Sequence, residues 1–185
     1  MAEYYLISQL PSLDGINENT PLPITSERFE ELCQRFLGKK AQAELEKLTL
    51  APPRNPEKLS SALVEKWNES ERNLRLALAK LRADKMNKHF DAETQSFPAG
   101  LLQAARTAVE IESPMEAEKF LNKYRLDFLE TLRPMDSFSE EFVFYYGLKL
   151  MLVERIRKFD SESGETAYRN IYDSIMNEDR SEVIQ

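Results

Sequence analysis

Residues 139–159 read SEEFVFYYGLKLMLVERIRKF, and the twelve positions from Phe142 to Val153 carry a single charge, Lys149. In a chain of net charge −7, such a run is a membrane segment, the centre of a core, or a socket for a partner. A membrane span needs about 20 predominantly apolar residues to cross roughly 30 Å of hydrocarbon. This run is shorter and ends in Glu154, Arg155, Arg157 and Lys158, so it does not cross. In its first two turns apolar side chains point in every direction, the pattern of a helix enclosed by other helices. The chain therefore reads as a bundle gathered around a central apolar helix at about 139–159.

On a helical wheel Lys149 falls within the stripe of Phe142, Tyr145, Tyr146, Val153 and Ile156. Its ammonium has to snorkel to the surface, pair with a carboxylate or face something outside the domain, and snorkelling is the expectation. If that stripe is exposed, Lys149 becomes an interface residue and Tyr145 and Tyr146 become partner anchors, because their rings supply contact area and their hydroxyls a polar handle.

Working outward, 185 residues suffice for one domain that buries roughly 70% of its unfolded surface. Five glycines are too few for a many-stranded sheet with frequent tight turns, whereas Ala, Leu, Glu, Lys and Arg dominate. The fold class is all-α, a single domain over 1–185 with about seven helices. Residues 1–25 hold an apolar segment, equally compatible with strand and helix, and a loop kept extended by Pro21 and Pro23. Phe29, Leu32, Cys33, Phe36 and Leu37 recur at helical spacing up to Gly38. A short helix over 39–48 buries Ala41, Leu45 and Leu48. Asn55-Pro56 offers a cap and a first-turn proline, opening one long helix at about 56–89. Its stripe is Val64, Trp67, Leu74, Leu78 and Leu81, interrupted by Glu71.

Residues 90–98 read as a loop, and Leu101, Leu102, Ala105 and Val109 mark the next helix. Ser113 with Glu116 and Ser137 with Glu140 have the spacing of capping boxes. Between them Ala117, Phe120, Leu121, Tyr124, Phe128 and Leu132 form one face, with Pro134 beyond it. Tyr168, Ile171, Tyr172, Ile175 and Met176 outline a terminal helix before an acidic tail.

No catalytic signature stands out. The sole histidine, His89, excludes motifs that need two, and no Glu-x-x-His pair serves a bundle metal site. Cys33 lies on an apolar stripe, where a thiol is structural. Gly38-Lys39 is followed by Lys40 and lacks the upstream glycine of a phosphate loop. Glu110, Glu112, Glu116 and Glu118 read as a solvated helix face. No cofactor or metal is expected. The acidic N-terminus and the lone cysteine fit a cytoplasmic protein, with any inner-membrane association peripheral and made through a complex. The Asn68-Glu69-Ser70 sequon then has no functional bearing, and a pI near 5.0 argues against a general nucleic-acid binder.

Charge is unevenly spread. Residues 72–88 hold Arg72, Arg75, Lys80, Arg82, Lys85 and Lys88 against Asp84 alone, whereas 160–185 hold seven acids against Arg169 and Arg180. The two regions either solvate opposite faces, attracting one another within the fold, or present the basic one to an acidic partner.

The segments YYLISQLPSL, PLPITSERFEELC, SPMEAEKFLNKYRLDFLETL and FVFYYGLKLMLVERIRKF follow the order found in a bacterial family of uncharacterised helical proteins, which the chain resembles over nearly its whole length. Genes of that family typically sit within clusters encoding V/A-type rotary ATPases. The last segment is also similar to the central-stalk subunit of those ATPases, called C in archaea and bacteria and d in eukaryotes, where an aromatic helix leads into a run like Glu154, Arg155, Ile156 and Arg157. That subunit is about twice as long. The resemblance implies a non-catalytic accessory or stalk-like subunit whose partners are V/A-type ATPase subunits. The alternative is an independent helical adaptor or assembly factor that holds an acidic partner through the basic long helix. Candidate partner-binding residues are Arg72, Arg75, Arg82, Lys85, Lys88, Tyr145, Tyr146 and Lys149.

Overall fold

A computed structural model of the chain describes residues 2–16, 20–54, 59–90, 97–158, 164 and 166–173. Every regular element among them is helical. In order these are α1 (Ala2–Gln9), α2 (Ser26–Phe36), α3 (Lys39–Leu45), α4 (Ala62–Lys85), α5 (Ala99–Glu110), α6 (Pro114–Thr131) and α7 (Glu140–Arg157). Residues 166–173 are helical as well. The undecided N-terminal segment is thus a helix, and no helix among the described residues is long and apolar enough to cross a membrane.

Side-chain caps fix the boundaries. Thr25, Ser61, Ser113 and Ser139 each accept a hydrogen bond from the backbone N–H three residues on, which satisfies one of the free donors of a helix start. Two expected starts move. The cap of α7 is Ser139, not Ser137, and α4 begins at Ala62 after a non-helical 59–61. Asn55 and Pro56 lie outside the described residues.

The long helix also ends at Lys85, short of His89. Asn87 takes the left-handed conformation at φ 53°, its N–H bonds to the Asp84 carbonyl, and the Lys88 N–H bonds to the Ala83 carbonyl at 2.9 Å. That is the Schellman termination, with Asn in the place glycine usually holds. Gly38 works differently from a stop. Its φ is −67° and it opens α3, while the last carbonyls of α2 are satisfied by the Gln42 amide, which donates to Gln34 O at 2.9 Å and Leu37 O at 2.8 Å.

The core has two parts. One gathers Leu6, Leu13, Phe29, Leu32, Cys33, Leu63, Val64, Trp67 and Leu129 around α7, which buries Val143 to Leu150 without interruption, together with Leu152 and Val153. The other joins Leu74, Ala77 and Leu78 of α4 to Leu101, Ala105 and Ala108 of α5 and Leu121 of α6. Helices α4 and α6 run through both. At the level where they pass from one to the other, the inward residues are polar: Asn68 and Glu71 on α4, Asn122 and Arg125 on α6.

Gly147 sets how closely α2 and the 46–48 turn approach α7. A Cβ there would sit 3.1 Å from Leu48 Cδ1 and 3.2 Å from Phe29 Cε1, tighter than ordinary packing allows.

Candidate functional site

Two places hold the sequence-derived candidates, and the structure treats them in opposite ways. At the first, α7 offers Tyr145, Tyr146 and Lys149 on the face met by α6 and the α1–α2 connection. All three are buried, so the tyrosines are not exposed anchors for a partner. Lys149 does not snorkel either. Its Nζ stands 2.5 Å from Asp14 Oδ1 and 2.6 Å from Glu130 Oε1, and it donates to the Tyr145 hydroxyl at 3.4 Å. Tyr145 in turn donates to Glu130 at 2.8 Å, and Tyr146 donates to the Pro11 carbonyl at 2.8 Å.

The electrostatics follow from that geometry. Burial works against the charge on Lys149, but the Asp14 and Glu130 carboxylates outweigh it and hold its pKa above the ordinary lysine value. The hydrogen bond from Lys149 holds the Asp14 carboxyl below its usual range. Burial, reinforced by the Glu130 carboxylate, pushes the Tyr145 hydroxyl up to about 12, and burial raises Tyr146 too. These groups border a cleft of about 290 Å³ lined by Ile7, Leu10, Leu13, Phe142 and Arg133. Its polar groups bond one another, so the arrangement clamps the N-terminal segment onto α7.

At the second place, the basic half of α4 splits. Arg75 stays exposed but is tied to the fold, donating to Glu71 Oε1 at 3.0 Å and to the Leu50 carbonyl at 2.9 Å. Arg72 is half-buried, with Nη1 fully buried and without a hydrogen-bond partner. Lys85 donates to the Val109 carbonyl at 3.2 Å and so ties the end of α5 to α4. Lys80, Arg82 and Lys88 are exposed, and Arg82 and Lys88 are not ion-paired among the described residues. Exposed Met86 lies between Lys85 and Lys88. The opposing acidic stretch at 160–185 falls mostly outside the described residues, as do Ile175 and Met176. Within 166–173, Tyr168, Ile171 and Tyr172 are exposed.

Sequence reasoning missed a buried ionic layer. Glu71, only 2% exposed, accepts from Arg125 Nε at 3.0 Å and Nη2 at 3.1 Å. Arg125 Nη1 reaches Glu118 and Asn122, both at 3.1 Å, and Arg155 closes the chain onto the same two residues. Glu118 therefore leaves the solvated face on which Glu110, Glu112 and Glu116 remain. The available signal was Glu71, an acid set in an apolar stripe. The run from Glu154 to Arg157 is likewise turned inward: Glu154 accepts from the Ser26 N–H at 3.1 Å, and Arg157 donates to the Thr20 carbonyl.

A second cleft of about 310 Å³ opens between α2, α3 and α7, over Phe29, Leu45, Leu48, Gly147 and Met151. Cys33 borders it but is wholly buried, and burial pushes its thiol up to about 12. Among the described residues no group of three or more His, Cys, Asp or Glu side chains is placed to hold a metal ion.

Residues 100–179 match a family described as a protein of unknown function (DUF2764). The matched part holds α5, α6 and α7, and with them Glu130, Tyr145, Tyr146 and Lys149, but neither Asp14 nor α4. No curated protein and no solved structure matches the chain.

Proposed function

We propose that the chain is a non-catalytic helical subunit that works by protein–protein contact, and that its partners are subunits of a V/A-type rotary ATPase. The resemblance of four segments in order carries the ATPase assignment. The contact role is supported by the way polar groups are used: the Lys149 cluster and the Glu71–Arg125 layer are held by bonds within the fold. The direct test is co-purification. Tagged chain expressed in its own host and recovered from native membranes in mild detergent should bring down ATPase subunits, and recovery without them defeats the assignment.

The exposed group of Lys80, Arg82, Met86 and Lys88 favours a second reading, an independent adaptor that grips an acidic partner with the end of α4. Complementary charge of this kind speeds encounter and weakens with salt. Since Arg75 is tied to Glu71 and to the Leu50 carbonyl, the informative changes are Arg82→Glu and Lys88→Glu. A captured complex that survives both changes and high salt is not held by this surface.

A further inference from the structure

Two exposed aromatic side chains, Tyr4 and Phe138, meet at the surface, and beside them in sequence Tyr5 and Met135 are large, apolar and exposed as well. Tyr4 and Tyr5 come from α1, and Met135 and Phe138 from the connection between α6 and α7. Tyr4 and Phe138 stack with ring centroids 4.5 Å apart and 18° between planes, which joins segments from opposite ends of the sequence into one ledge. One turn along α1 from Tyr4, Ile7 lines the 290 Å³ cleft, and Phe142, four residues after Phe138, lines it too. The stacked pair thus stands about one helical turn from the apolar side of the cleft, and exposed apolar groups of this kind mark an interaction site.

The rim of this surface is net acidic, with Asp14, Glu130, Asp136 and Glu140 set against exposed Arg133 and buried Lys149. Asp136 and Glu140 flank Phe138, both exposed, and neither is ion-paired among the described residues. The part-exposed Asp14 and Glu130 are already answered by Lys149, and Asp14 also by Arg133 at 4.0 Å. An acidic rim repels an anionic membrane surface, and the described residues offer no strand edge for an extended peptide to join. What it suits is a helix laid into a groove, anchored by apolar side chains at i, i+3, i+4 and i+7. Aromatic and thioether groups adapt well to such anchors.

We propose that this ledge and cleft dock a cationic amphipathic helix of a partner protein. Its apolar face rests on Tyr4, Tyr5, Met135 and Phe138, and its Lys and Arg side chains face Asp136 and Glu140. The surface is separate from the end of α4 and is independent of the ATPase reading.

The test uses the full chain and a dye-labelled Leu/Lys peptide of about 18 residues, five helical turns with leucine at the anchor positions. Anisotropy titrations run at about 150 mM salt, so that bulk charge is screened. Micromolar binding is expected, and a Met135→Ser/Phe138→Ser variant should weaken it about tenfold or more. Asp136→Lys/Glu140→Lys should also weaken it about tenfold, whereas the same charge change at exposed Glu65→Lys/Glu69→Lys on α4 stays within about twofold. In the unmodified chain, hydrogen exchange should slow at α1 and at 135–142 when peptide is added. Equal binding of a scrambled peptide, equal loss at the α4 control or an exchange footprint elsewhere overturns the proposal. So does capture by anionic vesicles in place of peptide, or a self-dimer abolished by the Met135→Ser/Phe138→Ser change.

Discussion

Glu71 shows how one side chain can carry a layer of the fold. It accepts two parallel bonds from Arg125 in a buried site, so deleting it strips the guanidinium of its bidentate partner and leaves it only Glu118 and Asn122. Removing one member of such a pair costs about 3–5 kcal/mol, whereas exchanging both for apolar residues of similar volume is near neutral or stabilising. We expect Glu71→Ala to lower stability in urea by that amount, and Glu71→Met/Arg125→Leu to recover most of it. A single change as mild as a surface substitution would mean that the layer is hydrated. Unpaired Asn68 Oδ1, Arg72 Nη1 and Asn122 Nδ2 beside or within this layer are the price of its polarity.

Two other residues make spectroscopic predictions. Cys33 is buried with its thiol raised to about 12, so aromatic disulfide reagents should label it only at the rate of unfolding. The tyrosinate absorbance missing from Tyr145→Phe relative to the unmodified chain should appear near pH 12, not at the ordinary value of 10.0. A difference centred near 10 would place that hydroxyl in water.

Among the connections, the turn after α1 is held to α7 by charge, through Asp14 and Lys149. Lys149 has its pKa raised, so its contribution is complete below the unfolded value of 10.5 and fades as pH rises through the folded one. Asp14 has its pKa lowered, so its contribution is complete above 3.8 and fades as pH falls through the folded value. Lys149→Met should therefore cost about 2 kcal/mol, as loss of charge-assisted hydrogen bonds does. In urea titrations that cost should be level between pH 5 and 9 and shrink below pH 4. Cost that is independent of pH would assign Lys149 to packing alone.

Local pattern was enough to read most elements. Apolar spacing gave the helices at 26–36, 114–131 and 140–157 closely, and the cap at Ser113 was visible as Ser-Pro-x-Glu. The start of α4 was misplaced because Asn55-Pro56 is a stronger local signal than Ser61, and its end because Asn87 can stand where glycine is usual. Tyr145, Tyr146 and Lys149 were singled out and do come together. They are buried, as a central core helix implies, but Lys149 pairs with a carboxylate instead of snorkelling, and its partner is not legible because Asp14 lies 135 residues away and no helical periodicity reports such a pairing.

For the whole molecule, the two cores are unequal. The one around α7 contains Trp67 and the long run of α7 side chains, whereas the one under α5 relies on several alanines. Apolar burial is worth about 25 cal/mol per Å², and alanine brings little area. Native-state hydrogen exchange should accordingly find α5 amides opening at lower free energy than those of α7. Equal values would mean that α4 and α6, which thread both cores, bind them into one cooperative unit.

The contacts of α7 have a consequence for synthesis. Tyr146 holds Pro11, Lys149 holds Asp14, Glu154 holds Ser26 and Arg157 holds Thr20. At about 5–20 residues per second, the nascent amino-terminal segment waits on the order of ten seconds before its seat leaves the ribosome. During that interval Leu6, Leu13 and Phe29 have no α7 to cover them, and the cell has to keep them from the wrong neighbour.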